Sequence, residues 1–117
     1  MTMAAYQPLA PAVFHILLAL ADGEKHGYAV MKSIEDHTEG ALRMGAGTLY
    51  SNLQRLTETG WVVEVTPPKA RSARDERRRF YRLTDGGRLA IGVEVRRLES
   101  LVHLARRASH RPRVTSR

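Results

Sequence analysis

The sequence predicts a mainly α-helical fold with one small β-hairpin, and three observations support this fold class. Apolar residues recur at helical spacing in four stretches of the 117-residue chain. Two short runs of β-branched and aromatic residues, 61–65 and 79–83, flank a polar stretch. The resulting order is helix, helix, helix, hairpin, helix. This is the order of a winged helix-turn-helix domain followed by a C-terminal helix.

The first two helices are predicted from apolar periodicity and from the residues that bound them. The run 9–21 is opened by prolines and closed by Asp22-Gly23, and we expect it to form the central, buried helix. It is too short to span a membrane and lacks the basic flank of a signal peptide. A second helix is predicted over residues 26–35, and we expect Tyr28 and Met31 to lie in its buried stripe.

The third helix, predicted over residues 45–60, carries most of the functional information. Leu49, Leu53 and Leu56 recur at i, i+4 and i+7 and therefore face the core together. Taken alone, this pattern favours an ordinary amphipathic helix, but the small polar side chains on its other face also fit the major groove of DNA. The loop 40–47 contains three glycines, which let the helix begin close to a phosphate. The residues that we expect at this DNA-binding face are Thr48, Tyr50, Ser51, Gln54 and Arg55.

The charge distribution favours a DNA-binding helix over an ordinary amphipathic surface helix. Residues 69–82 hold seven basic and two acidic side chains, a net charge of +5 in a chain of +7. A local excess of Lys and Arg predicts a polyanion partner, because neutralised phosphates release condensed counterions. The five arginines within 106–117 fit two roles equally: binding the same polyanion, or forming a solvated charged segment that keeps the protein soluble. The hairpin residues that we expect to contact double-stranded DNA are Lys69, Arg71, Arg74, Arg77, Arg78 and Arg79.

The last helix is predicted from an N-cap at Thr84 to Ala108, about 36 Å at 1.5 Å per residue. Its apolar residues alternate spacings of four and three, which is a heptad pattern. This surface exceeds what a small domain covers, so we expect a homodimer through the same helix of a second copy. The alternative is packing onto the first helix of its own chain, and the two are compatible. The expected dimerisation residues are Ile91, Val95, Leu98, Val102 and Ala105.

The domain organisation expected from these elements has three parts. Residues 1–84 form the winged helix-turn-helix DNA-binding domain, residues 85–108 form the dimerisation helix, and residues 109–117 form a disordered basic tail.

The composition argues against several functional classes. The five histidines fall into no metal-ligand spacing and no convergent acid, base or nucleophile groups are evident, so we expect neither an enzyme, a metal site nor a cofactor. The absence of cysteine fits a reducing cytoplasm. The few aromatic residues, most of them expected in the core, disfavour an RNA-stacking platform. The main alternative is a winged-helix protein–protein interaction module without specific DNA readout, which would expose an apolar patch and need no basic hairpin.

Several motifs, in order and spacing, resemble the PadR family of transcriptional regulators. The motifs are His26-Gly27-Tyr28, then Gly47-Thr48-Leu49-Tyr50 with Leu53, Arg55-Leu56 and Gly60, then Arg79, Tyr81, Leu83-Thr84 and Gly87-Arg88. With one helix after the hairpin, the chain is similar to the short subfamily. The resemblance implies a dimeric winged helix-turn-helix repressor that dimerises through the C-terminal helix. It also implies that Thr48, Tyr50 and Arg55 lie at the DNA face and that the hairpin contacts the backbone or the minor groove.

Two departures from the family pattern concern operator preference. Ser51 stands where the family usually has proline, and Thr57 and Thr59 follow Leu56 in place of a more acidic pattern. The operator preference of relatives is therefore not transferred to this chain.

Together these features predict a sequence-specific DNA-binding repressor of the cytoplasm with no membrane partner. Two recognition helices would enter successive major grooves of a pseudo-palindromic operator, and the hairpins would clamp its flanks. Gln54 and Arg55 both have the length and the donors to contact base edges, but the family resemblance favours a phosphate contact for Arg55, which leaves Gln54 and Ser51 as the better candidates for base edges. A small-molecule effector, whose identity the sequence does not indicate, would release the dimer by favouring a different spacing of the two helices.

Overall fold

The computed structural model contains four α-helices and a three-stranded antiparallel sheet within the residues that it describes, 7–66 and 78–110. The helices are α1 (Pro11–Ala19), α2 (Gly27–His37), α3 (Ala46–Thr59) and α4 (Asp85–His110). The strands are β1 (Lys25–His26), β2 (Val62–Val65) and β3 (Phe80–Leu83). The predicted fold class, a mainly α winged helix-turn-helix with an additional C-terminal helix, is confirmed.

The core lies between α1, α2, α3 and the sheet, with α1 at its centre as predicted. Ile16 and Leu17 of α1 are fully buried, as are Val30 and Ile34 of α2. The remaining members of the buried cluster are Ala19, Leu20, Leu49, Leu53, Leu56, Val62, Tyr81 and Leu83. One cluster therefore joins all three helices of the DNA-binding unit to the hairpin, and it fixes how α3 is presented.

The prediction that Tyr28 is buried is wrong, because its side chain is 63% exposed. The buried face of α2 is formed by Gly27, Val30 and Ile34. Tyr28 is displaced from Gly27 by one residue, which is about 100° around the helix, so it points away from the core. Met31, the other residue predicted for the stripe, is partly buried and packs against the cluster.

The sheet contains a strand that the sequence did not predict. Strand β1 pairs with β3 in the register Lys25↔Tyr81, and β3 pairs with β2 in the register Val62↔Leu83, so the strand order is β1-β3-β2. A strand of two residues is too short to carry a period-2 signal. Its consequence is that the N-terminus of α2, which begins at the next residue, is attached directly to the hairpin.

Helix α3 begins at Ala46 and ends against Gly60. Gly60 adopts a left-handed conformation with φ 90°, and its amide donates to the Leu56 carbonyl at 3.0 Å, which closes the helix. The N-cap residue is Gly45. Gly47 therefore belongs to the first turn of the helix and not to the preceding loop, where the sequence placed it.

Helix α4 is anchored to the domain at its start and exposed at its end. The Thr84 hydroxyl accepts the Gly87 amide at 3.1 Å, which confirms the predicted N-cap, and donates to the Gly60 carbonyl at 2.6 Å. Ala90 and Ile91 pack against the core, whereas every residue from 101 to 110 is exposed. The helix extends two residues beyond the predicted end, to His110, and is about 39 Å long.

The buried carboxylate of Glu94 links α4 to the segment before α1 and forms an ion pair with Arg97 of the same helix. The Glu94 carboxylate, only 3% exposed, accepts from Arg97 Nε at 2.9 Å and Nη2 at 2.6 Å, and from the Leu9 amide at 3.4 Å. The Arg97 guanidinium holds the pKa of Glu94 below its ordinary value, although burial opposes this effect. Packing of α4 on its own chain, one of the two alternatives from the sequence, therefore occurs in the first half of the helix.

Candidate nucleic-acid interface

The polar face of α3 is exposed along its whole length. Its three leucines are buried in the core, so the opposite side of the helix points outward. The five residues predicted for the DNA-binding face are all exposed; they are Thr48, Tyr50, Ser51, Gln54 and Arg55. Their side chains are therefore available to an external partner.

The start of α3 has no side-chain cap. Gly45 supplies the N-cap position, and Thr48, for which capping was one of two alternatives, makes no capping hydrogen bond. The amide groups of the first turn therefore have no side-chain acceptor and carry the positive end of the helix dipole. A Cβ added to Gly45 or to Gly47 would meet nothing within 4 Å. Packing within the described part of the chain does not require either glycine.

A groove of about 830 Å³ lies between α3, the start of α2 and the sheet. Tyr50, Ser51 and Gln54 line it from α3, and Arg78 and Arg79 line it from the segment that leads into β3. Thr48 and Arg55 belong to the exposed face but not to the lining of this groove. The other lining residues are His26, Gly27, Tyr28, Thr57, Glu58, Glu64 and Tyr81.

Tyr50 packs over Gly27, which explains the glycine in the His26-Gly27-Tyr28 motif. A Cβ on Gly27 would lie 2.2 Å from the Tyr50 hydroxyl oxygen and 2.6 Å from the ring carbon that bears it. Only glycine leaves room for the ring in this position, and a larger residue at 27 would displace the Tyr50 side chain. The contact sets the position of α2 against α3, and it leaves Tyr50 42% exposed to the groove.

His26 connects the start of α2 to the hairpin. Its Nδ1 accepts the Ala29 amide at 3.2 Å, which caps α2, and its Nε2 lies 2.8 Å from Arg78 Nη1. The edge of the imidazole ring packs on Phe80, with ring centroids 5.3 Å apart. The ring also stacks with Tyr28 at a centroid distance of 6.4 Å. The His26-Gly27-Tyr28 motif therefore organises one wall of the groove.

Tyr81 is buried in the sheet beside Glu64, its partner in the β2–β3 register. Burial raises the pKa of Tyr81, and a hydrogen bond with Arg79 partly opposes the rise. The phenol is therefore neutral at physiological pH and can act as a hydrogen-bond donor at the base of the groove.

Seven of the groove residues were not among those predicted to bind DNA: His26, Gly27, Tyr28, Thr57, Glu58, Glu64 and Tyr81. For Glu58 a signal was present, since it lies four residues after Gln54 and seven after Ser51 and therefore shares their face. Glu64 is brought to the groove by strand pairing, which local spacing does not reveal. Of the predicted hairpin residues, four lie outside the described residues: Lys69, Arg71, Arg74 and Arg77.

The predicted dimerisation residues follow one side of α4 and range from partly buried to exposed. Ile91 is partly buried against the core, Leu98 is half-buried, and Val95, Val102 and Ala105 are exposed. Leu101 and Leu104 add further apolar surface, because these residues are 48% and 52% exposed. The second half of α4 therefore carries an apolar face that its own chain does not cover within the described residues.

The described ranges 7–66 and 78–110 lack two further kinds of feature. No group of three or more His, Cys, Asp or Glu side chains there is arranged to hold a metal ion. No helix in these ranges is long and apolar enough to cross a membrane.

Comparison with known proteins identifies the family. The model of the transcriptional regulator PadR-like family matches residues 16–93, and no curated protein matches the chain in sequence. A transcriptional regulator from Clostridium thermocellum is 24% identical over 81% of this chain and 89% of its own, with a TM-score of 0.67. A PadR family transcription regulator from Clostridium difficile R20291 is 17% identical over 84% and 97%, with a TM-score of 0.69.

A third similar structure is Bacillus subtilis PadR in complex with operator DNA. It is 20% identical over 95% of this chain and 53% of its own, with a TM-score of 0.61. These structural similarities support the winged-helix fold, and the family match extends over most of the chain. Members of this family are transcriptional regulators and not enzymes, in agreement with the expectation from the histidine spacing. The chain belongs to the PadR-like family of transcriptional regulators.

Proposed function

We propose that this protein is a sequence-specific DNA-binding repressor that acts as a homodimer on a pseudo-palindromic operator. The observation that carries the proposal is the exposed polar face of α3, held by a buried leucine seam and bordered by arginines at the groove. Hydrogen-bonding side chains on a rigid helix can contact base edges in the major groove, and arginines contact phosphates.

The uncapped start of α3 supports DNA as the partner. The free amides of the first turn favour a phosphate oxygen, because they donate hydrogen bonds at the positive end of the helix dipole. Gly45 and Gly47 have open space around them, which permits close approach of a phosphate backbone. The similar Bacillus subtilis PadR structure contains operator DNA, which supports the same partner for this chain.

The roles of the individual residues follow from their positions. Gln54 and Ser51, which line the groove, are assigned to base edges, and Thr48 and Tyr50 to bases or phosphates. Arg55 lies beside the groove on the exposed face and is assigned to a phosphate. Arg78 and Arg79 extend the contact toward the flanking backbone, together with the hairpin residues Lys69, Arg71, Arg74 and Arg77.

The exposed apolar face of α4 supports the homodimer. Leaving Val95, Leu101, Val102 and Leu104 accessible to water would be unfavourable in an isolated chain, and the same face of a second copy provides a matching cover. A symmetric dimer would place two α3 helices on successive turns of the duplex. Repression then follows from occupation of a promoter. An effector would relieve it by binding more tightly to a dimer with a different helix spacing.

The proposal is tested by selecting duplexes from a random-sequence pool and then titrating the selected duplex and a scrambled duplex at one salt concentration. We expect a two-fold symmetric consensus with half-sites about 10 base pairs apart. Gln54→Ala should lose about 1–3 kcal/mol on the selected duplex and little on the scrambled one. Thr59→Ala, on the same helix but outside the groove, is the matched control.

One result would contradict the role assigned to Gln54, and another would contradict the proposal as a whole. Equal losses on both duplexes for Gln54→Ala would mean that α3 only positions the dimer and that DNA shape or the hairpin provides specificity. A pool that yields no consensus would favour the protein–protein interaction module.

A further inference from the structure

One acidic side chain, Glu58, lies on the polar face of α3 near the C-terminal end of the helix. Ser51, Gln54 and Glu58 are spaced by three and four residues, so they form one row on the side of the helix opposite the buried leucines. All three are exposed and line the groove. A duplex that contacts Ser51 and Gln54 along this row would therefore also meet the Glu58 carboxylate.

Interactions within the chain do not account for an acid at this position. The Glu58 carboxylate makes no ion pair and no side-chain hydrogen bond with any residue in the described ranges. It lies in the last turn of α3, which contains no basic residue. A negative charge there is unfavourable, because the carbonyl groups at this end of a helix carry the negative end of its dipole.

We propose that Glu58 is a specificity-determining residue that accepts a hydrogen bond from the N4 amino group of a cytosine in the major groove. This inference rests on the proposed DNA-binding function. A carboxylate is only an acceptor, and the amino donors that bases present in the major groove are cytosine N4 and adenine N6. Adenine N6 lies beside the N7 acceptor, which favours an amide side chain that can both donate and accept. Cytosine is therefore the base that fits Glu58.

The carboxylate would also exclude other contacts. Thymine O4, guanine O6 and the phosphate oxygens are all acceptors and would be repelled by it. Glu58 would thus restrict which base lies opposite the last turn of α3. The Glu58 side chain lowers the affinity for duplexes without the matching cytosine. Specificity follows from the difference between this affinity and the affinity for the matching duplex.

The test compares wild type, Glu58→Gln, Glu58→Ala and the control Asp36→Asn in selection from a random duplex pool. Asp36 is an exposed acid of α2 outside the groove, so the control removes the same charge elsewhere. We expect a cytosine in the wild-type and control consensus that Glu58→Ala loses while the rest of the consensus is kept. Glu58→Gln should shift the preference at that position toward adenine.

Titrations on matched duplexes make the test quantitative. Replacing the selected cytosine pair should weaken the wild type about 5- to 100-fold and Glu58→Ala hardly at all. On scrambled DNA both Glu58 variants should bind about two- to fivefold more tightly than wild type, because a repulsive charge is gone. Thermal melting should show both variants folded.

The proposal is overturned if wild type and both Glu58 variants select the same base at every position. In that case the proposed function still stands, because a consensus has been obtained. Failure of the wild type to select any consensus would overturn the proposed function and this inference together.

Discussion

The junction between the hairpin and α4 depends on a glycine that no alanine can replace without a clash. A Cβ on Gly87 would lie 2.3 Å from the Trp61 carbonyl oxygen and 2.5 Å from a methyl carbon of Leu83. The Trp61 carbonyl also accepts the Thr84 amide at 3.1 Å, so the backbone there is held and cannot simply move away. Gly87→Ala should therefore force apart the start of α4 and the hairpin.

The magnitude follows from two opposing effects. Overpacking against a fixed backbone costs about 3 kcal/mol. Alanine in place of glycine returns about 1 kcal/mol through helix propensity. We therefore expect Gly87→Ala to be destabilised by about 2 kcal/mol, which is a shift of about 1 M in the urea midpoint.

Gly86→Ala provides a matched control in the same helical turn. A Cβ on Gly86 would meet its nearest atom, the Gly60 carbonyl oxygen, at 3.4 Å, an ordinary contact. This variant should be neutral or stabilised by up to about 1 kcal/mol. Both can be measured by urea unfolding followed by the fluorescence of the single tryptophan, Trp61, at one protein concentration. Equal stability of the two variants would refute the reasoning.

Three further predictions concern the dimer, the buried ion pair and the contact between α2 and α3. Leu98→Asp should give a monomer or an unfolded chain in sedimentation, because a charge in an apolar interface costs several kcal/mol; a folded dimer would place the interface elsewhere. Glu94→Gln should lose about 1–2 kcal/mol at pH 7. The Arg97 guanidinium lowers the pKa of Glu94 in the folded protein. The stability that the Glu94 carboxylate contributes is therefore complete above its unfolded pKa of about 4.3 and is lost as the pH falls through its folded pKa. The free energies of unfolding of wild type and Glu94→Gln should therefore converge at acid pH. Gly27→Ala should displace Tyr50 and weaken DNA binding about tenfold, with little effect in a Tyr50→Ala background; equal losses in both backgrounds would contradict it.

The elements that the sequence predicted correctly are those with strong local signals. The leucine seam of α3 has a clear helical period, and the Thr84 N-cap is defined by the residue itself and the turn that follows it. The central position of α1 follows from its apolar composition and its length. Such features depend on neighbouring residues in the sequence, so the tertiary structure is not needed to recognise them.

The features that were missed depend on contacts between distant residues. Strand β1 exists because Lys25 and His26 meet β3, and the exposure of Tyr28 follows from which side of α2 packs against the core. The buried pair of Glu94 and Arg97 has an ordinary surface spacing of three residues, and only the approach of the N-terminal segment makes it structural. Charge and spacing alone do not distinguish these roles.

The measurement that tests the central claim most directly is the salt dependence of binding to double-stranded DNA. With about six to ten phosphate contacts per dimer, affinity should fall by about three to five decades between 50 and 200 mM salt. Replacing Arg55 and Arg79 by alanine removes up to four phosphate contacts per dimer and should reduce the slope of log affinity against log salt by about 2 to 4. The control Arg96→Ala, on an exposed site of α4, should leave the slope unchanged. An affinity that changes less than about tenfold over this range in the unmutated protein would contradict the account.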